Sequence, residues 1–257
     1  MEPVSLAVSI ASLAPLFQTA LDCFQYVQLG KSFSTDFQTC LLQLDNIQLR
    51  LSRWGQAIGI GADTESTLSL SGTSISPEDQ RRAETILGHV ISLFKDAESV
   101  SRRLEGKSSD VQQMQAHESL EGVIASLHKR MRGICLRRQG KTSIDTKTKW
   151  ALHERDHLIH LIESVQTLVT DLIDLFPSTE KRERIFCDEE VAELRDESEL
   201  PVLIEVAGKL DQPLKEAIER LQKQVVSTSS ETGSYILTRP DISHLQYVEQ
   251  LGQYQSP

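Results

Sequence analysis

One run in the middle of the chain has the spacing of a catalytic metal site. His153-Glu154-Arg155-Asp156-His157 matches H-E-x-x-H. On a single helix, that spacing points both imidazoles at one zinc ion and places the glutamate to activate a bound water. His160, one turn further on, has the position of a third ligand. Two features argue against this chemistry. The middle residues are Arg and Asp, where a helix buried beside a metal favours apolar side chains. The chain also shows no strand pattern that would build a substrate-binding sheet. The run therefore reads as the solvated start of a helix, and no metal or cofactor is expected.

A second candidate is basic. His128-Lys129-Arg130-Met131-Arg132 is followed by Arg137, Arg138, Lys141, Lys147 and Lys149, nearly free of acids. The favoured reading is a solvated face that pairs within the chain with the acidic stretch Asp188 to Glu199. The alternative is a surface for anionic lipid built on Lys129, Arg130, Arg132, Arg137 and Arg138. Nucleic acid is not expected as a partner. No aromatics interleave with these charges, and the net charge is −10, whereas phosphate binding needs clustered cations. Gly59-Ile60-Gly61 lacks the further glycines of a phosphate loop. No paired carboxylates and no Ser/His/Asp arrangement can be read from spacing, so an enzyme is not expected.

The elements that would position these residues are helical. The chain has 257 residues, 25% charged, 39% hydrophobic and only 5% aromatic. That is a soluble-type balance with room for a sizeable core. Cys23, Cys40, Cys135 and Cys187 sit at no metal-ligand spacing and are too few for a disulfide scaffold. They read as reduced, which places the chain in the cytoplasm. The one asparagine, Asn46, lies in no glycosylation sequon.

The N-terminal segment is the least ordinary. From Pro3 to Leu21 it carries no charge. About 20 apolar residues span a bilayer as a helix, so this run is marginally long enough. Serines, Gln18 and Thr19 dilute it, however, and Pro15 would kink it. It does not read as a secretory signal, because Met-Glu-Pro is acidic where such signals are basic. A helix that is apolar nearly all round is usually a buried core helix, and that is its expected resting role.

Further helices are predicted at about 35–58, with Leu41, Leu44, Ile47, Leu51 and Trp54 as the buried stripe and Asn46, Arg50 and Arg53 turned to solvent. Another begins at Ser76-Pro77-Glu78-Asp79, a cap followed by an N1 proline and two acids. Others are expected near 110–138, resuming at Lys147 to Leu152, along the stripe from Leu158 to Leu175, and from Leu200 to Val226. Gly59 to Ser76 reads as a loop, and residues 60–75 or the tail are the places for any short strand. Ser227 to Pro257 reads as a flexible tail, or a linker to a C-terminal module absent from this chain.

Several separated motifs together resemble one family. Leu21-Asp22-Cys23-Phe24-Gln25-Tyr26-Val27-Gln28-Leu29-Gly30 is similar to the end of the first helix of fungal HeLo domains. Leu51-Ser52-Arg53-Trp54-Gly55, Lys141-Thr142-Ser143 with Lys149-Trp150-Ala151-Leu152, Leu175-Phe176-Pro177, and the acids leading into Leu200 follow in family order. Such domains occur in a fungal heterokaryon-incompatibility prion system and in a loss-of-pathogenicity protein of a plant pathogen. The resemblance implies an all-α domain over residues 1–226, of about eight helices with at most a small β-hairpin, able to form a homodimer. It implies a latent, pore-forming cell-death effector, cytoplasmic at rest and at the plasma membrane once activated. Membrane lipids would then be its partner, and an activating protein is not identified. Carried over by position, the inserting side chains are Val4, Leu6, Val8, Ile10, Leu13, Leu16, Phe17 and Leu21. The resemblance also implies a chain break soon after Trp150-Ala151-Leu152, so that His153 and His157 flank a turn. No amyloid-forming repeat like that of the incompatibility prions appears in the tail. A non-toxic, dimeric interaction module, with the first helix permanently buried, is the alternative function.

Overall fold

A computed structural model describes the backbone of residues 4–29, 38–60, 75–105, 122–140, 150–152, 155–196 and 198–233. Its residues fall into two units, Met1–Ile218 and Glu219–Pro257. The first holds helices α1 (Val4–Tyr26), α2 (Gln38–Ile58), α3 (Pro77–Glu105), α4 (Gly122–Arg138), α5 (Arg155–Asp174), α6 (Glu180–Leu194), α7 (Leu200–Leu210) and the start of α8 (Gln212–Gly233). Of the second unit, the described part is the helical continuation of α8 to Gly233, past the expected end at Val226. Nothing between Ser227 and Thr232 breaks a helix as Pro or Gly would. The fold is all-α.

Local signals set several boundaries. The Ser76 hydroxyl accepts the Asp79 N–H at 3.0 Å, capping α3 as the sequence predicts. Helix α2 stops at Gly59, whose φ of 86° is left-handed. Ile60 N–H then reaches the Gly55 carbonyl at 2.9 Å and Gly59 N–H that of Gln56 at 3.1 Å, closing the helix end.

Three expectations are corrected. Trp150–Leu152 is not helical: it is strand β2, paired in parallel with β1, Val27–Leu29. Because the pair is parallel and joins segments far apart in sequence, it is not a hairpin. A short apolar run cannot be assigned to helix or strand by periodicity alone. The acidic stretch is not merely a lead-in: up to Leu194 it is part of α6. The expected last helix is broken in two at Asp211, which is buried. There the Asp211 carboxylate accepts the Leu214 N–H at 3.2 Å, and Pro213 fits the first turn of the new helix.

The largest correction concerns α2. Asn46, Arg50 and Arg53 are not on a solvent face. Arg53 is 1% exposed and Asn46 0%. The predicted stripe is buried too, because α2 is the central helix and packs against α1, α4, α5, α6 and α7. A helix enclosed on all sides must meet its charged side chains with partners, and it does. Arg53 Nε and Nη2 donate to Glu190 at 3.1 and 2.5 Å. Its Nη1 and Nη2 donate to Asp211 at 3.1 and 2.8 Å. Arg138 also donates to Glu190, Arg50 to Thr170 at 3.3 Å, and Asp45 meets His128 Nδ1 at 2.5 Å.

Burial alone would depress the Arg53 pKa, but the Asp211 and Glu190 carboxylates outweigh it and hold the guanidinium charged, well above its ordinary range. Asp211 is the mirror case. Burial alone would raise it, and Arg53, by charge and hydrogen bonds, brings it below the usual carboxyl value. Glu183 differs: burial pushes its carboxyl up, only partly countered by the Thr179 hydroxyl and by Arg53.

Two outcomes follow. Arg53→Met leaves Glu190 and Asp211 as buried carboxylates without their main cation, and should cost about 3–5 kcal/mol in urea unfolding; a loss below ~1 kcal/mol would show that the carboxylates do not depend on it. Glu183 has a raised folded pKa, so the folded state binds more protons than the unfolded one just above pH 4.5, and its stability falls as pH rises through that window. Glu183→Gln should therefore be more stable than the parent at pH 7, with the gap closing as pH falls toward 4.5; a less stable variant at pH 7 refutes this.

Candidate functional site

The site is α1 and the surfaces that hold it. Of its predicted inserting residues, Leu13, Phe17 and Leu21 are fully buried and Leu16 is half-buried. The side chains of Val4, Leu6, Val8 and Ile10 lie outside the described residues. Helix α1 packs on α3 and α2. Phe17 fits a notch made by a glycine. A Cβ on Gly55 would stand 2.1 Å from the Phe17 ring tip, so only glycine lets the ring lie against α2. The ring then continues a run of aromatics: Phe17 to Trp54 at 6.0 Å and Trp54 to Phe176 at 5.5 Å between centroids. One turn below Leu21, Phe24 meets Phe94 of α3 edge-on at 4.7 Å.

Polar side chains clasp the same part of the helix. Gln25 donates to Gln139 at 2.8 Å. Gln139 donates in turn to Asp22 at 3.1 Å and toward Gln18 at 3.4 Å. Gln48 donates to the Leu21 carbonyl at 3.1 Å, and Arg132 to that of Phe24 at 3.4 Å. The Phe24 carbonyl lies in the last turn of α1, where no intrahelical donor remains. Immediately afterwards β1 joins β2, Val27 opposite Trp150 and Leu29 opposite Leu152. Nearer the N-terminus, Ser12 donates to Glu84 at 2.9 Å and accepts from Gln80 at 2.8 Å, both half-buried on α3.

Sequence reading missed Gln139 and Gln48, and took Gly55 only as the end of the motif Leu51–Gly55. Only Gly55 left a trace: a glycine inside a helical pattern, which costs stability unless something packs there.

Among the described residues, no helix is long and apolar enough to cross a membrane. At 23 residues α1 has the length. Its serines, threonine and Gln18 dilute the uncharged run, as the reading of it as a marginal span has it.

The five basic residues all lie on α4, and three of them meet acids. Arg130 pairs with Glu199 and donates to the Glu193 carbonyl at 3.2 Å. Arg137 pairs with Glu193 and Arg138 with Glu190. Arg132 lies between His128 Nε2 and the Phe24 carbonyl, both at 3.4 Å. Lys129 is exposed.

Of the H-E-x-x-H run, His153 and Glu154 lie outside the described residues. Strand β2 ends at Leu152 and α5 begins at Arg155, with His157 and His160 exposed on it. Among the described residues, no three side chains of metal-binding type gather into a site. Burial pushes the Cys135 thiol up to about 12 and raises Cys187 as well, which leaves both in the unreactive thiol form.

A family model described as prion-inhibition and propagation, the HeLo model, matches residues 5–203. The chain belongs to the HeLo family. This HeLo chain is 31% identical over 233 residues to heterokaryon incompatibility protein s of Podospora anserina, an alignment covering 89% of this chain and 78% of that protein. Heterokaryon incompatibility protein S of the same fungus matches to the same extent. Among solved structures, the HET-s N-terminal domain superposes with a TM-score of 0.70 at 30% identity, over 83% of this chain and 98% of that one. A doubly substituted form of that domain gives 0.69.

The notch under Phe17 makes a direct test. Gly55→Ala should destabilise the domain by about 1–3 kcal/mol, because the ring and α2 must move apart. A thermal or urea midpoint unchanged from the parent would show that Phe17 does not need the notch.

Proposed function

We propose that this HeLo-family chain is a latent cell-death effector of the fungal incompatibility type, which acts by disrupting membranes with its N-terminal segment and not as an enzyme. The observation that carries the reading is the state of α1. An uncharged helix start is stored against the core by apolar contacts that lipid could replace, and by a limited number of hydrogen bonds. Leu13, Phe17 and Leu21 are each worth roughly 1.5–3 kcal/mol when taken out of water. Transfer to lipid returns a similar amount, so the resting and inserted states can lie within a few kcal/mol of each other. The incompatibility proteins of Podospora support the class of function by relatedness over most of the chain.

Because serines and Gln18 dilute the uncharged run of α1, disruption is read as the work of several segments acting together, with their serines turned toward water. In this reading the chain rests in the cytoplasm as a homodimer. It reaches the plasma membrane when an activating partner loosens α1. The acids of α6 and Glu199 keep the α4 cations neutralised until then.

The test is dye release from vesicles of phosphatidylcholine and phosphatidylserine. Ser12 is exposed, so Ser12→Lys preserves the fold, adds an ion pair to Glu84 at rest, and puts a charge into the segment that must enter lipid. The parent should release dye and the variant at least ten-fold less, with equal thermal midpoints. Release by both alike would refute insertion of this segment. No release by the folded parent, even after mild acid, would favour a permanently closed interaction module.

A further inference from the structure

We propose that His128 is a proton-gated clamp: while neutral it seats Arg132 on the end of α1, and on taking up a second proton it drives Arg132 off that seat. The inference concerns how the α1–β1 junction is held, and it does not depend on the membrane reading above.

The protonation state follows from what each partner can do. His128 lies on the buried face of α4, 3% exposed. Its Nδ1 stands 2.5 Å from the Asp45 carboxylate of α2, which is also buried. Its Nε2 stands 3.4 Å from Arg132 Nη1. A carboxylate only accepts hydrogen bonds, and a guanidinium only donates them. Nδ1 therefore carries the proton and Nε2 the lone pair, which is the neutral imidazole held in one tautomer. The same guanidinium donates from Nη2 to the Phe24 carbonyl at 3.4 Å, in the last turn of α1. Three residues on, Val27 opens β1 opposite Trp150 of β2. Asp45, His128 and Arg132 thus form one relay from the central helix to the α1–β1 junction.

A second proton on the ring goes to Nε2. It turns the acceptor into a donor and sets two cations against each other across that contact. Asp45 is the nearer neighbour and favours the imidazolium, while Arg132 opposes it. Arg132 is the partner that yields. It is half-buried, and its Nε has no partner among the described residues. The remaining charges on the elements packed against α4 are engaged. Asp22 of α1 accepts from Gln139. Glu190 of α6 meets Arg53 and Arg138, and Glu193 meets Arg137. These contacts lie at least ~13 Å along α4 from His128. Glu199, ahead of α7, meets Arg130, and Lys129 is exposed. The Cys135 thiol, pushed up to about 12 by burial, carries no charge. Loss of Arg132 takes this donor from the Phe24 carbonyl, so acid loosens the junction while the Arg53 cluster stays intact.

The test combines nitrogen NMR of the imidazoles with amide hydrogen exchange, corrected for the intrinsic rate, on the full chain at about pH 7.5 and about pH 5.5. At the higher pH, His128 should show the neutral form protonated at Nδ1. At the lower pH, residues 25–29 should lose protection by about ten-fold, the worth of one hydrogen bond from a charged donor, with α3 unchanged. Arg132→Gln should show the lower protection at both pH values, and His128→Gln should abolish the pH dependence. Arg132 is not fully buried, so Arg132→Gln carries the test if His128→Gln fails to fold. The clamp is overturned by a His128 that is charged or protonated at Nε2 at the higher pH. It is also overturned by equal protection of residues 25–29 at the two pH values, by parent-like protection in Arg132→Gln, or by a loss spread equally over α3, which is general acid unfolding.

Discussion

The fold depends on a cation in its centre. Arg53 sits in the C-terminal half of the most enclosed helix, 1% exposed, where an unpaired charge would be untenable. It is tolerable only because two carboxylates converge on it from elements far along the chain. Glu190 comes from α6, and Asp211 from the break between α7 and α8. That requirement decides where those elements can lie. It also explains why the C-terminal helices break at a buried aspartate: Asp211 has to face Arg53 and cap α8 at the same time. Arg138 adds α4 to the group through Glu190. Four elements are thus tied together by charge geometry as well as by apolar contact. The specificity this confers comes with a desolvation cost that the dense hydrogen bonding offsets.

Helix α1 stands in a different relation to the core. It adds apolar cover, with Phe17 closing one end of the aromatic run through Trp54 to Phe176, yet it takes no part in the Arg53 cluster. A domain built this way can alter its first helix without dismantling the charges that organise the rest. In the function proposed above, this separation is what a switch needs: a well-determined body and an element held apart from the charges that organise it.

The basic residues of α4 follow the same logic of local compensation. In sequence they form a dense cationic run. In the fold, Arg130, Arg137 and Arg138 meet Glu199, Glu193 and Glu190. The outer pairs are partly exposed and individually weak, while Arg138 with Glu190 is buried and belongs to the core. The face therefore offers less positive charge to an anionic surface than a count of arginines implies.

What the sequence determined by itself was local or cumulative. The Ser76-Pro77 start of α3, the glycine that ends α2, the apolar stripe of α5 and the uncharged run of α1 all act within a few residues or one periodic face. The ordered motifs, from Leu21 to Leu200, were enough to place the chain in its family and so to give the all-α fold. What only the tertiary structure decided were pairings across long separations. Arg53 reads as a solvent-facing residue because its partners lie 137 and 158 residues away. Trp150–Leu152 reads as helix because its strand partner follows α1. The Gln139 clasp is silent because an amide near a helix end has no pattern until another helix is laid beside it. The physical reason is the same in each case. Periodicity reports which face of an element is apolar. It cannot report that an element will be enclosed on every side, and that its polar face will then be matched charge for charge.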